Sequence, residues 1–294
     1  MTSNYQLARY SSQLDLQQEV IKDITNINIL IDIGNTNTKY RYIPVNTEWQ
    51  KADIYPIYKF ENILYNYTDF TKNNLPIITN LPNNCIINKI YISNVAKQYY
   101  SDTIKNIFSS SCNIENIYEY KTQAKFKNLI NKYDDYTKLG VDRWLSIIAA
   151  HGLYPNTTNI VIGCGSATTL DIIYNNQFIG GYIIPGISYM QKSLIENTER
   201  IKNIYNPNNI DINLNINNIK PSTNTNSCIN NGIIISQISF IEKSIFSFIK
   251  TQDIVEYNCI IYGGCAKQIC PFISFPHLVF DNMVILGLAR VLNG

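Results

Sequence analysis

Glycine is scarce in this chain, with 13 residues among 294, compared with a usual share of about 7%. Gly34 stands alone in the N-terminal part, whereas later glycines come in close pairs such as Gly163 with Gly165 and Gly263 with Gly264. Glycine adopts backbone conformations that other residues avoid. The few glycines present therefore indicate turns of special geometry, and they guide the search for a functional site.

Charged residues are also few, at 16% of the chain, compared with about 25% in typical proteins. Lys and Arg number 24 and Asp and Glu number 22, which gives a net charge of +2. A protein that follows nucleic-acid phosphates needs a clear basic excess, so no nucleic-acid partner is expected. The 45% of hydrophobic residues excludes a generally disordered chain, and 294 residues allow about two domains.

The sequence lacks any apolar run near the ~18 residues that a membrane span needs, and it lacks a basic N-terminal region followed by an apolar stretch. We therefore predict a cytoplasmic protein without a membrane partner. The seven cysteines are odd in number and form no C-x-x-C pair. They predict reduced thiols, with neither a disulfide framework nor a zinc site.

A strand, turn and strand pattern occurs twice. The apolar run Ile29–Ile31 leads into Asp32-Ile33-Gly34-Asn35-Thr36 and then an alternating segment, and Ile160–Ile162 leads into Gly163-Cys164-Gly165-Ser166-Ala167 and a second apolar segment. Such a repeat indicates an internal duplication. It predicts an α/β protein with a polar N-terminal appendage over residues 1–27, two similar halves over 28–152 and 153–294, and a cleft between them.

Hydrophobic periodicity and turn residues place the remaining elements. Strands are predicted at Ile87–Ser93, Phe178–Ile184 and Asn258–Tyr262, and an Asn-rich connection over residues 203–225. Helices are predicted at Tyr99–Phe108, Asp142–His151, Ile229–Thr251 and Met283–Leu292, and another begins near Tyr189.

The sequence contains neither a G-x-x-x-x-G-K-[ST] phosphate loop nor a G-x-G-x-x-G dinucleotide motif. The hairpin turn at Asp32–Thr36 offers another way to bind phosphate. Its backbone N–H groups can approach phosphate oxygens while the Asp32 carboxylate holds a Mg²⁺ ion. Turn chemistry alone is equally satisfied by an ordinary hairpin turn.

Asp142 stands at the start of an apolar helical stretch, in the segment Leu139-Gly140-Val141-Asp142-Arg143-Trp144. A carboxylate there can accept a proton from a substrate hydroxyl while Arg143 holds an anionic group. The alternative is a first-turn acid that stabilises the helix dipole. Spacing does not choose between these two roles.

Taken together and in order, these motifs resemble the type III pantothenate kinases, also called Bvg accessory factors, of the acetate and sugar kinase/Hsc70/actin superfamily. The resemblance covers roughly residues 28–294. It rests on D-I-G-N-T-N-T-K, N-K-Y, L-G-V-D-R-W, G-S-A-T-T-L-D, the run from Gly180 to Leu194, Thr225, Gly263-Gly264 and the C-terminal L-G-L-A.

This resemblance implies a duplicated actin-like (ribonuclease H-like) fold and ATP-dependent phosphorylation of pantothenate to 4'-phosphopantothenate, the first step of coenzyme A biosynthesis. It implies a homodimer in which the partner subunit closes the pantothenate pocket. ATP and phosphate would be bound by Asp32, Ile33, Gly34, Asn35, Thr36, Asn37, Thr38, Lys39, Ser166, Gly263 and Gly264, with Asp32 near Mg²⁺. Pantothenate would be bound by Tyr133, Gly140, Val141, Asp142, Arg143 and Thr225, with Asp142 as the catalytic proton acceptor.

The chain departs from the family pattern at two places. The family usually has an aspartate at the start of the second turn, where it helps hold a K⁺ or NH₄⁺ ion, whereas this chain has Gly163. Near the expected adenosine site it has Cys265 where the family has aspartate. We therefore expect less dependence on potassium than the family pattern implies.

Two other functions fit the same residues. One is an actin-like kinase for another small hydroxylated metabolite, which Tyr133, Asp142, Arg143 and Thr225 argue against because they match pantothenate-side positions. The other is a scaffold or regulatory protein with weakened catalysis. Gly163 and Cys265 favour that alternative, whereas the retained Asp32 and Asp142 oppose it.

Overall fold

The computed structural model describes residues 26–62, 70–82, 85–109, 114–206 and 221–294. Most of the predicted appendage lies outside these residues, although Asn26 and Ile27, its last two positions, begin the first strand. The Asn-rich connection also falls largely outside the described residues, at 207–220.

The helices and strands of the structure lie close to the positions predicted from the sequence. The strands are β1 (Asn26–Ile33), β2 (Asn37–Pro44), β3 (Tyr58–Glu61), β4 (Ile86–Asn94), β5 (Ile117–Glu119), β6 (Lys125–Phe126), β7 (Leu129–Asn131), β8 (Thr158–Cys164), β9 (Ala167–Tyr174), β10 (Gln177–Pro185), β11 (Tyr257–Tyr262) and β12 (Leu278–Phe280). The helices are α1 (Pro76–Thr79), α2 (Gln98–Phe108), α3 (Val141–Leu153), α4 (Ile187–Asn197), α5 (Glu199–Ile204), α6 (Thr225–Thr251), α7 (Ala266–Ile269) and α8 (Met283–Leu292).

The chain forms two compact units whose boundaries differ from two contiguous halves. Unit 1 consists of Met1–Ala124, as far as it is described, with Asp135–Leu153 and Met283–Gly294, and unit 2 consists of Lys125–Asp134 with Tyr154–Asn282. Residues 125–134 belong to unit 2 because β7 pairs with β10. The C-terminal helix α8 belongs to unit 1 because it packs against α3.

Unit 1 is built on a sheet of strand order β3-β2-β1-β4-β5. β1 pairs antiparallel with β2 and parallel with β4, so the predicted hairpin is confirmed. β1 is buried along nearly its whole length. Ile27, Ile29, Ile31 and Ile33 lie in a core cluster on one face of the strand, as the alternation of side chains in a strand requires.

Unit 2 contains a sheet of order β12-β11-β8-β9-β10-β7-β6. Its strands β10-β9-β8-β11-β12 repeat the order and directions of β3-β2-β1-β4-β5, with antiparallel pairs on one side of the leading strand and parallel pairs on the other. The duplication inferred from the sequence is confirmed. This repeated arrangement is that of the actin-like, ribonuclease H-like fold.

Helix α6 of unit 2 is, by length and composition alone, long and apolar enough to cross a membrane, with a mean hydropathy of 1.4 over its most apolar window. The core helices of soluble proteins pass the same test. Its residues Ile234, Ile238, Ile241 and Ile245 lie in the core cluster of unit 2 with residues of β8 and β11. Their spacing places them on one face of the helix, which is the pattern of a helix packed on a sheet.

Helices α3 and α8 pack closely in unit 1. A Cβ atom at Gly287 of α8 would lie 2.1 Å from the carbonyl oxygen of Leu145 in α3, so a residue without a side chain is required there. Arg290 of α8 donates a hydrogen bond to the carbonyl oxygen of Ile148. These contacts fix the helix whose first turn carries Asp142.

Candidate active site

The first turn joins β1 to β2 and places a carboxylate beside an ammonium group. Asp32 is registered with Lys39 on β2 and with Ser93 on β4. Only 7% of Asp32 is exposed. The Gly34 N–H group donates a hydrogen bond to the Asn37 carbonyl oxygen over 3.0 Å, which closes the turn.

Asn62, which follows β3, holds this turn from the side. Its amide Nδ2 donates to the Gly34 carbonyl oxygen over 2.6 Å, and its Oδ1 accepts from the Thr38 hydroxyl over 2.7 Å. Its backbone N–H donates to the Thr36 carbonyl oxygen over 2.8 Å. Asn62 is buried, so the two hydrogen bonds that it donates and the one that it accepts fix the shape of the turn.

Not every predicted phosphate-binding residue offers its side chain. Ile33 is buried in the core cluster, so only its backbone can face a ligand. The hydroxyl of Thr38, which is fully buried, bonds to Asn62. Asn35 and Thr36 are exposed at the tip of the turn, and Asn37 and Lys39 are half-buried at the start of β2.

Asp142 lies in the first turn of α3, where its Oδ1 accepts a hydrogen bond from the Arg143 N–H group over 2.8 Å. A Cβ atom at Gly140 would come within 2.6 Å of the same oxygen. Gly140 therefore leaves room for the carboxylate. The side chains of Val141 and Arg143 are buried on either side of the half-buried Asp142.

The electrostatic environment of Asp142 suits a proton acceptor. Burial raises the pKa of its carboxyl group, and this effect outweighs the Arg143 backbone hydrogen bond and the positive charges of Arg143 and Lys39, which lower it. Lys39 lies at the start of β2, directly after the first turn, and its positive charge there lowers the pKa of Asp142. Asp32, Lys39 and Asp142 thus form the charged part of the candidate site in unit 1.

The second turn joins β8 to β9 in unit 2 and contains Ser166. The Gly165 N–H donates to the Ala167 carbonyl oxygen over 3.0 Å, and the Gly186 N–H donates to the Ser166 carbonyl oxygen over 2.9 Å. A Cβ atom at Gly186 would lie 2.1 Å from the Gly165 carbonyl oxygen. The backbone of Gly186 therefore packs directly on the turn.

Gly263 and Gly264 follow β11 and lie next to the same turn. A Cβ atom at Gly263 would be 2.4 Å from the Cys164 carbonyl oxygen, and Gly263 has a φ of +107°, which favours glycine. The Cys265 N–H donates to that carbonyl oxygen over 3.0 Å. The structure thus brings the predicted adenosine-side glycines to the turn that carries Ser166.

Tyr133 and Thr225 lie on separate elements of unit 2. The exposed ring of Tyr133, just after β7, stacks on Phe178 with ring centroids 6.1 Å apart. Thr225 is exposed as the first residue of α6, after the N-cap residue Asn224, whose side chain accepts a hydrogen bond from the Ser227 N–H group.

The donor set at the first turn fits Mg²⁺ carried by a nucleotide. Within the described part of the chain, no group of three or more His, Cys, Asp or Glu residues could hold a metal ion. Mg²⁺ at phosphate-transfer sites often binds one or two carboxylates together with water and substrate phosphates. The single carboxylate of Asp32 beside the backbone of the turn meets this requirement.

No sequence pattern indicated the roles of Asn62 and Gly186. Asn62 lies outside every motif and reaches Gly34 from 28 residues away. Gly186 stands within a recognised motif, but its contact with the second turn becomes evident only in three dimensions. The role of Asn62 could be predicted only with the knowledge that β3 pairs with β2, which brings Asn62 beside the turn.

Comparison with known proteins agrees with this geometry. The family model for type III pantothenate kinase matches residues 28–246. A type III pantothenate kinase from Pseudoalteromonas translucida is 29% identical over 268 residues, which cover 88% of this chain and 93% of that protein. One from Hahella chejuensis is 35% identical over 212 residues, which cover 70% of this chain and 81% of that protein.

Among solved structures, the fold is similar to that of a putative Baf family transcriptional activator from Campylobacter jejuni. The TM-score is 0.51 at 18% sequence identity, and the match covers 90% of this chain and 97% of that one. This likeness concerns the fold alone. With the family match over most of its length, the chain belongs to the type III pantothenate kinase family, phosphotransferases that phosphorylate pantothenate in coenzyme A biosynthesis.

Proposed function

We propose that Asp142 is the proton acceptor in the phosphorylation of pantothenate and that the first turn binds the phosphates of ATP. The observation that carries this proposal is the half-buried Asp142 carboxylate, whose pKa is raised by burial and which lies within the field of Lys39. A carboxylate with a raised pKa is a better proton acceptor than an exposed one.

The reaction assigned to these residues is a direct phosphoryl transfer. Asp142 accepts the proton of the primary hydroxyl of pantothenate as that oxygen forms a bond to the terminal phosphorus of ATP. The bond between this phosphorus and the bridging oxygen of ADP breaks at the same time. Such a transfer depends mainly on positioning and on neutralising charge.

The first turn supplies both requirements. Its backbone N–H groups and Lys39 would face the phosphates, and Asn62 keeps the turn in one shape through hydrogen bonds with Gly34 and Thr38. Asp32 would hold Mg²⁺, which neutralises phosphate charge when bound. In unit 2, Ser166 would contact ATP and Gly263 with Gly264 would lie by the adenosine, a role favoured by their position against the second turn.

On the acceptor side, Tyr133, Gly140, Val141, Arg143 and Thr225 would contact pantothenate. Gly140 and Val141 contribute backbone at the start of α3, and Arg143 contributes a positive charge beside Asp142. The exposed Tyr133 ring and Thr225 hydroxyl suit a ligand that carries hydroxyl and amide groups.

We infer a soluble, cytoplasmic homodimer. β7 pairs only with the first residues of β10, and β10 from Ile179 onward has no strand partner on that edge within the described residues. Ile179, Tyr182 and Ile183 are exposed along it. Exposed apolar edges are usually covered, and we propose that a second copy of this chain covers this one.

Ile183→Glu is expected to give a monomer in sedimentation experiments. An unchanged dimer would show that this edge of β10 is not the dimer interface.

The decisive test of function is ADP release by the purified protein with Mg-ATP, with and without pantothenate, and identification of 4'-phosphopantothenate by mass spectrometry. We expect turnover that depends on pantothenate. A folded protein that binds ATP and turns over only with another hydroxylated metabolite would assign a different substrate to the same fold.

A further inference from the structure

Gly163 is the centre of three residues registered across the second sheet. It pairs with Thr169 on β9 and with Tyr262 on β11. Residues registered on neighbouring strands place their side chains on the same face of a sheet. Thr169 and Tyr262 therefore flank the position where a side chain at residue 163 would stand.

The Tyr262 phenol takes that space. A Cβ atom at Gly163 would lie 2.9 Å from the Tyr262 hydroxyl oxygen, 3.1 Å from its Cζ and 2.9 Å from Thr169 Oγ1. The half-buried Thr169 can turn its hydroxyl away by rotation about one bond, but the Tyr262 ring is only 9% exposed and lacks this freedom. Any side chain at residue 163 would thus have to displace Tyr262.

The equivalent residues of unit 1 show the opposite arrangement. Asp32 is the central residue there, and its partner on the parallel strand β4 is the small Ser93. A small partner leaves room for a central carboxylate, whereas a tyrosine partner suits a central glycine, which an aromatic ring on the next strand can cover. In each unit the size of the partner matches the size of the central residue.

We propose that Gly163 and Tyr262 form a coupled pair in which the Tyr262 phenol occupies the place of a carboxylate-held monovalent cation at the second turn. A K⁺ ion needs a shell of several oxygen ligands. Here the carboxylate is absent, and the phenol oxygen of Tyr262 lies 2.9 Å from the position where its Cβ atom would stand. The second turn therefore works without a monovalent cation. This inference rests on the proposed kinase function only where activity is measured.

The first test compares initial rates in K⁺, NH₄⁺, Na⁺ and choline chlorides at equal ionic strength. We expect rates within about twofold of one another once screening is held constant. In parallel, the Tm is followed as K⁺ replaces choline, and no saturable rise is expected. Strict K⁺ dependence of the rate, or a saturable rise in Tm with K⁺, would overturn the proposal.

The second test is a cycle of Tm measurements on Gly163→Ala, Tyr262→Ala and the double variant, which needs no activity. Gly163→Ala should lower the Tm by several degrees in the wild-type background, because the new methyl group meets the phenol. It should cost little in the Tyr262→Ala background. The control is Gly232→Ala in α6, where no atom beyond the neighbouring residues and the backbone of the helix itself lies within 4 Å of the new Cβ. Additive losses of Tm would contradict the coupling.

The third test builds the missing site. Gly163→Asp combined with Tyr262→Thr should show a saturable rise in Tm with K⁺, and Tl⁺ NMR should detect a bound cation. Gly163→Asp alone should show neither. The reverse result, with K⁺ binding in the single variant and none in the double variant, would show that Tyr262 does not exclude the cation. Absence of pantothenate turnover in every salt would refute the kinase function. The Tm and NMR results would then still show whether Gly163 and Tyr262 are coupled and whether Tyr262 excludes the cation.

Discussion

The first and second turns occupy equivalent places in two sheets of the same topology, but they differ in charge and in what holds them. The first turn carries Asp32 and Lys39 and is braced by the side chain of Asn62. The second turn, over residues 163–169, has no charged side chain and is held by the backbone of Gly186 and Gly263.

This difference shows that the two copies of a duplicated fold can keep the same topology and still differ in the charge of equivalent turns. The charged groups that we propose for neutralising phosphate and accepting a proton, Asp32, Lys39 and Asp142, all lie in unit 1. The second copy retains the shape of the turn in neutral form. The following variants test whether charge in unit 1 and backbone shape in unit 2 are indeed the separate contributions of the two copies.

The largest effect is expected from Asp142→Asn, which keeps the size of the side chain and removes the proposed proton acceptor. We expect kcat to fall by about 10²–10⁴. Burial raises the pKa of Asp142, so the ionised carboxylate lowers the free energy of unfolding. This loss of stability develops as pH rises from the ordinary pKa of an aspartate through the raised value. At neutral pH the variant, which lacks this charge, should thus be at least as stable as the wild type, as measured by Tm.

The pH profile provides a control for this assignment. In the wild type, kcat/KM should decrease as pH falls through the raised pKa of Asp142, and this acidic limb should be absent from the residual activity of Asp142→Asn. Near-normal turnover of the variant would leave Asp142 with only its helix-terminal role.

Asp32→Asn tests the charge of the first turn itself and makes it resemble the neutral second turn. We expect a loss of about 10²-fold in kcat/KM, because a ligand for Mg²⁺ and for the charge balance of the phosphates is removed. Raising the Mg²⁺ concentration should recover part of this loss. A variant with unchanged Mg²⁺ dependence would show that Asp32 does not hold the ion.

Gly186→Ala tests the backbone support of the second turn. The new methyl group would meet the Gly165 and Ser166 carbonyl oxygens at 2.1 and 2.8 Å, so we expect a loss of about 1–3 kcal/mol in the free energy of unfolding. The KM for ATP should rise about tenfold as the turn is displaced. Gly232→Ala is the matched control. Equal KM values in the two variants would separate Gly186 from the site.

Asn62→Ala tests the side-chain brace of the first turn by removing the bonds to Gly34 and Thr38. We expect a loss of about 1–2 kcal/mol in stability and a several-fold higher KM for ATP. Asn80→Ala is the control, because Asn80 donates to the Tyr40 hydroxyl in the same unit. That variant should lose stability with an unchanged KM, and a matching rise in KM would assign Asn62 a merely structural role.

The smallest effect is expected at Ser166, which keeps a hydroxyl in the second turn. Ser166→Thr should change kcat/KM by less than about threefold, whereas Ser166→Ala should raise the KM for ATP several-fold through loss of one hydrogen bond. Kinetics at varied ATP concentration measure both variants. Identical KM values for alanine and threonine would exclude contact between this hydroxyl and ATP.

The sequence predicted the local elements well because their signals are local. Apolar alternation with turn residues predicted both hairpins, and the spacing of apolar residues predicted α8 at Met283–Leu292. The exchange of Lys125–Asp134 and of α8 between the contiguous halves was not predicted. These segments join their units through pairings distant in the sequence, for which periodicity carries no information.

The candidate site divides in the same way. The residues of the first turn and of the start of α3 were predictable, because turn chemistry and a charged residue before an apolar helix can be read from neighbouring positions. The brace from Asn62 and the contact of Tyr262 with Gly163 come from neighbouring strands. Whether Asp142 serves the helix or the chemistry was open, and the structure shows a carboxylate that accepts a backbone N–H bond and is also partly withdrawn from water.

The position of α8 against α3 has a consequence for synthesis on the ribosome. Unit 1 starts with β1 but is completed by α8, which follows unit 2 in the chain and supplies Gly287 and Arg290 for the contacts with Leu145 and Ile148. During synthesis, the face of α3 that packs on α8 therefore stays uncovered until the whole of unit 2 has been translated. A truncation before Met283 would remove the helix that packs against α3 in the unit that carries Asp142.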